Sequence, residues 1–153
     1  MPVQKLKEYL DKNKVRYVVI RHSTAYTATE IAASAHVRGR NLAKTVMVKL
    51  DGMMAMAVLP ANFRVDLEKL RIASSSGTAE LAAEHEFAKM IPGCEEGAMP
   101  PFGNLYGLPV WVEKTLAEDE EIAFNACSHA ELLQLAYKDF AHLAKPTVAS
   151  FKE

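Results

Sequence analysis

The chain has 153 residues, with 18 Lys and Arg against 19 Asp and Glu and a formal net charge of −1. Half of the residues are apolar and 24% are charged, the balance of an ordinary globular protein. This length predicts one domain over residues 1–153 that needs neither a disulfide nor a metal to fold. Near-neutrality excludes a protein held to nucleic acid over a wide basic face, but leaves room for a local contact with a phosphate.

Residues 3–13 place Val3, Leu6, Tyr9 and Leu10 on one helical face. Val15–Ile20 is β-branched and aromatic and reads as a strand. After a polar connection, Thr27-Ala-Thr-Glu30 fits a capping box, which predicts a helix from Thr27 to His36. Leu42–Leu50 and Met53–Leu59 flank Asp51-Gly52, a strong hairpin signal. Asp66 can cap a short helix through Leu70, and a second helix is predicted over Ala79–Met90, closed by Pro92-Gly93. Residues 97–109 hold three Gly and three Pro and form a shaped loop. Leu108–Glu113 and Glu121–Asn125 read as strands, and Glu131–Ala144 as a helix or as a strand followed by a helix. A tight hairpin without βαβ alternation predicts an α+β fold with antiparallel pairing at its centre, not a doubly wound parallel sheet.

Apolar runs such as Met53–Pro60 fall far short of the ~20 residues of a membrane span. Met1-Pro-Val-Gln-Lys-Leu-Lys-Glu has no apolar signal core. The expected location is the cytoplasm, without membrane contact. Cys94 and Cys127 lack a CxxC context, so reduced, space-filling thiols are expected. No His, Cys, Asp and Glu group has metal-ligand spacing, and no cofactor motif is present.

Four features could carry chemistry. Lys44 shares a strand face with Leu42, Val46, Val48 and Leu50. It is either a strand-end lysine whose stem packs and whose ammonium reaches water, or a cation at a pocket mouth aimed at an anion. In Gly97-Ala-Met-Pro-Pro-Phe-Gly103, two prolines fix φ and two glycines permit close approach of backbone. Such a loop can aim N–H groups at a carbonyl oxygen becoming negative, or be a plain turn. Residues 31–50 hold Arg38, Arg40, Lys44 and Lys49 and no acid, a place for a phosphate or a solvated basic edge. His22 lies in a polar loop with Ser23, Thr24 and Tyr26, and either binds a ligand or sits at the surface. There is no HExxH, GxSxG or P-loop, and covalent catalysis has little support.

Lys44 and the Gly97–Gly103 loop, taken together, resemble the YbaK/EbsC family, which includes the editing domain inserted in bacterial-type prolyl-tRNA synthetases. The polar segment His22–Thr27, Leu42-Ala-Lys-Thr-Val-Met-Val-Lys-Leu-Asp-Gly52, Leu108-Pro-Val-Trp-Val-Glu113 and Ile122-Ala-Phe-Asn-Ala-Cys-Ser128 extend the likeness along almost the whole chain. The resemblance implies a strongly twisted mixed sheet around a pocket, and metal-independent hydrolysis of the ester in mischarged aminoacyl-tRNA, of a tRNA-Pro type. The family's pivotal lysine falls on Lys44 and its GxxxP loop on Gly97 and Pro101, with Ala98 and Gly103 in the same catalytic loop. Expected around the substrate are His22, Thr24, Tyr26, Thr27, Arg38, Arg40, Met99, Phe102, Asn125 and Ser128. Two departures bear on amino-acid specificity: Glu113 where members often have Asp, and Ala126-Cys127 where they have Gly-Gly or Ala-Gly. The expected partner is the acceptor end of aminoacyl-tRNA, with a synthetase as a second candidate. The alternatives are a non-catalytic module that binds an aminoacyl-adenosine-like ligand, and a generic esterase.

Overall fold

The computed structural model describes residues 2–21, 42–90, 94, 98–128 and 130–153. Helix α1 (Pro2–Lys12) leads into strand β1 (Tyr17–Arg21). Strands β2 (Leu42–Leu50) and β3 (Met53–Pro60) form the hairpin expected at Asp51-Gly52. Both turn residues take positive φ, 52° and 80°, as a two-residue turn between right-twisted strands requires. The Asp51 carboxylate then accepts the N–H groups of Gly77 and Thr78 at 2.7 and 3.0 Å, tying a distant loop to the hairpin tip.

Helix α2 (Leu67–Ala73) starts at Asp66, whose side chain accepts the Lys69 N–H at 3.0 Å, the capping interaction read from sequence. The helix predicted over Ala79–Met90 is not there. The chain forms strand β4 (Ala79–Leu81) and only one turn of helix, α3 (Glu84–Phe87). The reason is tertiary: β4 fills the free edge of β2 opposite Val48–Leu50, and Lys49 draws in Glu80 and Glu86 at 3.4 and 2.7 Å. Those ladder bonds outweigh a helix propensity worth tenths of a kcal/mol per residue.

Beyond a 3₁₀ turn at Gly103–Tyr106 come β5 (Val110–Glu113), α4 (Lys114–Ala117), β6 (Glu121–Asn125), β7 (Glu131–Ala136), α5 (Tyr137–Ala144) and β8 (Thr147–Ala149). Glu131–Ala144 is thus a strand and then a helix. Helix α4 and strand β8 were not apparent from sequence. Buried Glu113 caps α4, its carboxylate accepting the Thr115 N–H at 2.6 Å, which gives the departure at that position a structural use. The helix expected over Thr27–His36 lies outside the described residues.

The eight described strands make one mixed sheet in the order β1-β7-β6-β2-β3-β5-β8, with β4 also on β2. The β2–β6, β3–β5 and β5–β8 pairs are parallel and the others antiparallel. Apolar residues cover both faces. One face holds the main core, in which Leu6 and Leu10 of α1 meet Met56, Phe124 and Phe140 around Phe102. Phe102 is fully buried, with Phe124 and Phe140 edge-on to it at 5.7 and 5.4 Å. Against the other face, Val48, Ala55, Ala57 and Leu59 pack on Leu70 of α2 and on Phe151. Among the described residues, no helix is long and apolar enough to cross a membrane.

Gly103 sits where the loop after Pro101 packs down onto the paired strands β3 and β5, against Met56 and Val110. A Cβ there would stand 2.7 Å from the Leu108 carbonyl oxygen and 2.8 Å from Val110 Cγ2. Gly103→Ala is expected to destabilise the fold by about 1–3 kcal/mol through overpacking, read as a lower urea midpoint. An unchanged midpoint would show that the loop yields without cost.

Candidate active site

The β2–β6 pairing builds the site. These parallel strands place Leu42 beside Ala123 and Ala43 beside Phe124. Lys44 and Asn125 follow one step beyond those pairs. Ala43 and Phe124 both lie in the main core, so by strand alternation Lys44 and Asn125 project to the opposite face. There Leu42, Ala123 and Leu132 are buried around them, Leu132 being the β7 partner of Asn125.

Lys44 is half-buried. Burial, and secondly the charge of Arg64, hold its ammonium below the usual lysine range. Both effects penalise the protonated form, by desolvation and by like charge. Arg64 was not found by sequence reasoning. It stands on the turn after β3, which folds back because the Ala61 N–H reaches the Leu42 carbonyl at 2.7 Å and the Phe63 N–H reaches that of Pro60 at 3.1 Å. With Leu59 opposite Lys44, the hairpin register was the available signal.

Asn125 is 8% exposed, and its Oδ1 has no hydrogen-bond partner among the described residues. Its neighbours are fixed on both sides. The Ala126 N–H donates to the Glu131 carbonyl at 3.0 Å, and the Cys127 N–H donates to the Ala98 carbonyl at 2.9 Å. This last bond lays the Ala98–Gly103 loop against the end of β6. The N–H groups of Ala98, Met99 and Phe102 donate to no other described residue.

The cysteines correct an expectation. Cys94 and Cys127, read as reduced thiols, are joined in a disulfide with Cα atoms 4.2 Å apart. A sequence separation of 33 residues hid the contact that the Ala98–Cys127 bond creates. Cys127 also adopts φ 65°, the conformation that the glycine common in the resembled family takes at least cost.

The other expected residues divide. Ala98, Met99, Pro101, Phe102 and Gly103 are all buried in the loop; Met99 and Phe102 belong to the main core. Ser128 is half-buried, and its Oγ accepts the Ala130 N–H at 3.0 Å. His22, Thr24, Tyr26, Thr27, Arg38, Arg40 and Gly97 lie outside the described residues. Lys49, part of the acid-free stretch in sequence, is paired in space with Glu80 and Glu86 and is not available to a ligand as the stretch implied. An open groove of about 910 Å³ runs elsewhere, along Lys14, Arg16, Tyr17, Glu121, Gln134 and Tyr137. It lies at the Glu121 end of β6, away from Asn125, and its charges are mixed.

Comparison with known proteins follows the same lines. The family model described as "Aminoacyl-tRNA editing domain" matches residues 22–143. A curated relative from Escherichia coli (strain K12), the multifunctional Ser/Thr-tRNA deacylase ProXp-y, is 28% identical over 157 residues, covering 97% of this chain and 92% of the relative. Two solved structures share the fold. One is a candidate trans-editing enzyme for prolyl tRNA synthetase, with TM-score 0.84 and 20% identity over 99% of this chain and 97% of that one. The other is the hypothetical protein APE2540, with TM-score 0.86 and 18% identity over 97% and 99%. With the family model spanning both halves of the site, from the segment before β2 to α5, the chain belongs to the aminoacyl-tRNA editing domain family and is an aminoacyl-tRNA deacylase.

Proposed function

We propose that the chain works in trans on the acceptor end of a mischarged tRNA of the tRNA-Pro type, with Lys44 and the Gly97–Gly103 loop as its working parts. The observation that carries this reading is the parallel β2–β6 register, which ends one step short of Lys44 and Asn125, with Asn125 two residues from the bond between Cys127 and Ala98. A strand cation and the Ala98 end of a Pro/Gly loop, far apart in sequence, thus meet at one end of β6, while Met99 and Phe102 of the loop pack into the main core. The relative's Ser/Thr-tRNA deacylase activity and the likeness to a candidate prolyl trans-editor support the substrate class.

An aminoacyl ester is already activated, so the protein's task is placement. Lys44 holds a phosphate or ribose oxygen of the terminal adenosine, and Arg64 adds a second positive charge nearby. Half-buried, the ammonium is worth more to a phosphate than it would be in water. The ester then lies against the loop, whose N–H groups meet the carbonyl oxygen as negative charge develops on it. Water attacks the ester carbon, the tetrahedral intermediate collapses, and the ribose oxygen leaves with a proton. The products are the free amino acid and uncharged tRNA.

Lys44→Ala is expected to lower kcat/KM for mischarged tRNA by about 10²-fold or more, the cost of losing a positioning group, with the circular dichroism of the fold kept. A folded variant of wild-type rate removes Lys44 from the site.

A pH profile tests the same residue. Because burial and Arg64 lower its pKa, Lys44 loses its proton at a pH below that of an ordinary lysine. Its grip is present below that pKa and lost above it. KM, corrected for spontaneous ester hydrolysis, is therefore expected to rise on the alkaline side before the usual lysine range. In Lys44→Arg, whose guanidinium keeps its charge, the alkaline rise is expected to disappear. An identical rise in both proteins assigns it to another group.

A further inference from the structure

Among the buried groups that the mechanism above leaves unused, Asn125 is the one at the candidate site. Asn125 Oδ1 is an acceptor with no partner among the described residues, on a side chain more than nine-tenths buried. Buried polar groups in folded proteins are almost always satisfied, and an exception calls for an explanation. The explanation here begins with place. Asn125 ends β6 one step beyond the pairing of β6 with β2, as Lys44 does on β2, and both are on the face away from the main core, with Ala98 bonded two residues on. On the reading in which Lys44 holds the adenosine, the orphan is a place for the aminoacyl group to meet.

An unpaired acceptor waits for a donor, and the substrate offers few. The α-ammonium is a cation, and this end of the sheet already carries Lys44 and, near it, Arg64. Bringing a third positive charge to a neutral amide oxygen in a low-dielectric setting is opposed by both. A hydroxyl carries no charge and meets no such opposition. Leu42, Ala123 and Leu132 are buried on the same face, and aliphatic neighbours favour a small side chain with one polar atom over an extended polar one.

We propose that Asn125 is a specificity-determining residue, its Oδ1 accepting a hydrogen bond from the side-chain hydroxyl of a serine- or threonine-type aminoacyl group. This rests on the deacylase reading above and deepens it. A site built to bond a hydroxyl rejects the analogue that lacks it, because the acceptor is then buried without a partner. Alanine fills the same space without that donor, so selection against alanine follows from the site itself.

The test compares tRNA-Pro charged with serine and with alanine, using the purified full chain and its Asn125→Ala and Asn125→Asp variants, each checked by circular dichroism. The wild type is expected to cleave the seryl ester with kcat/KM at least about tenfold above the alanyl ester. Asn125→Ala is expected to bring that ratio to within about threefold of one, and Asn125→Asp, which keeps an acceptor at the same place, to preserve it. The wild-type ratio stands whether or not a variant folds, and equal wild-type rates on both esters overturn the proposal. It is also overturned if Asn125→Ala slows both esters by one common factor, which would assign Asn125 to the ribose hydroxyl or to the attacking water. Failure of the wild type on every mischarged tRNA would instead remove the deacylase reading; hydrolysis without preference for serine leaves that reading intact and removes only the role of Asn125.

Discussion

Strand β2 has two edges, and three strands use them. On one side it is paired along eight consecutive positions with β3, as the hairpin demands. On the other, β6 takes Leu42 and Ala43, and β4 takes Val48 to Leu50. A strand held this way cannot slip, because a shift of one residue would turn every side chain to the wrong face. The position of Lys44 is therefore fixed by packing many residues away. Met47 and Ala43 are committed to the main core and Val48 to the opposite cluster, and the face of Lys44 follows from theirs.

That constraint makes a half-buried cation tolerable. A lysine placed singly on an apolar face would turn its ammonium to water and cost little. Lys44 is held at the end of a pinned strand with Arg64 close by, and its proton is less firmly bound for it. The fold carries a local cost that a bound anion or loss of the proton would relieve. Asn125 on the neighbouring strand carries a cost of another kind, an acceptor without a donor. A half-buried cation and a buried acceptor, neither satisfied by the other, suit a polar ligand that brings an anionic group and a donor.

The hairpin, its bounds, the Asp66 cap and the amphipathic face of α1 were legible because each depends on residues close in sequence. Lys44 stood out by the same local logic, as one charge among aliphatics on a strand. Tertiary pairings were not legible. Ala79–Leu81 has ordinary helix composition, and only the vacant edge of β2 makes it a strand. Cys94 and Cys127 carry no sequence mark of partnership; the docking of Ala98 against the end of β6 brings them together. Arg64 was hidden in the same way, its nearness to Lys44 arising from how the chain folds back after Pro60. The candidate site was thus half legible: Lys44 and Asn125 were named and Arg64 was not, and what relates the three comes from strand order and from the turn after Pro60.

A net charge of −1 fits a positive site of this kind. Lys49, which sequence counts among the cations, is spent on Glu80 and Glu86 and holds β4 to the sheet. What remains around Lys44 is a short-range charge in a partly desolvated place, with little long-range attraction to draw in a whole nucleic acid. On the proposed reading, such a site grips a tRNA chiefly at the end where the ester lies.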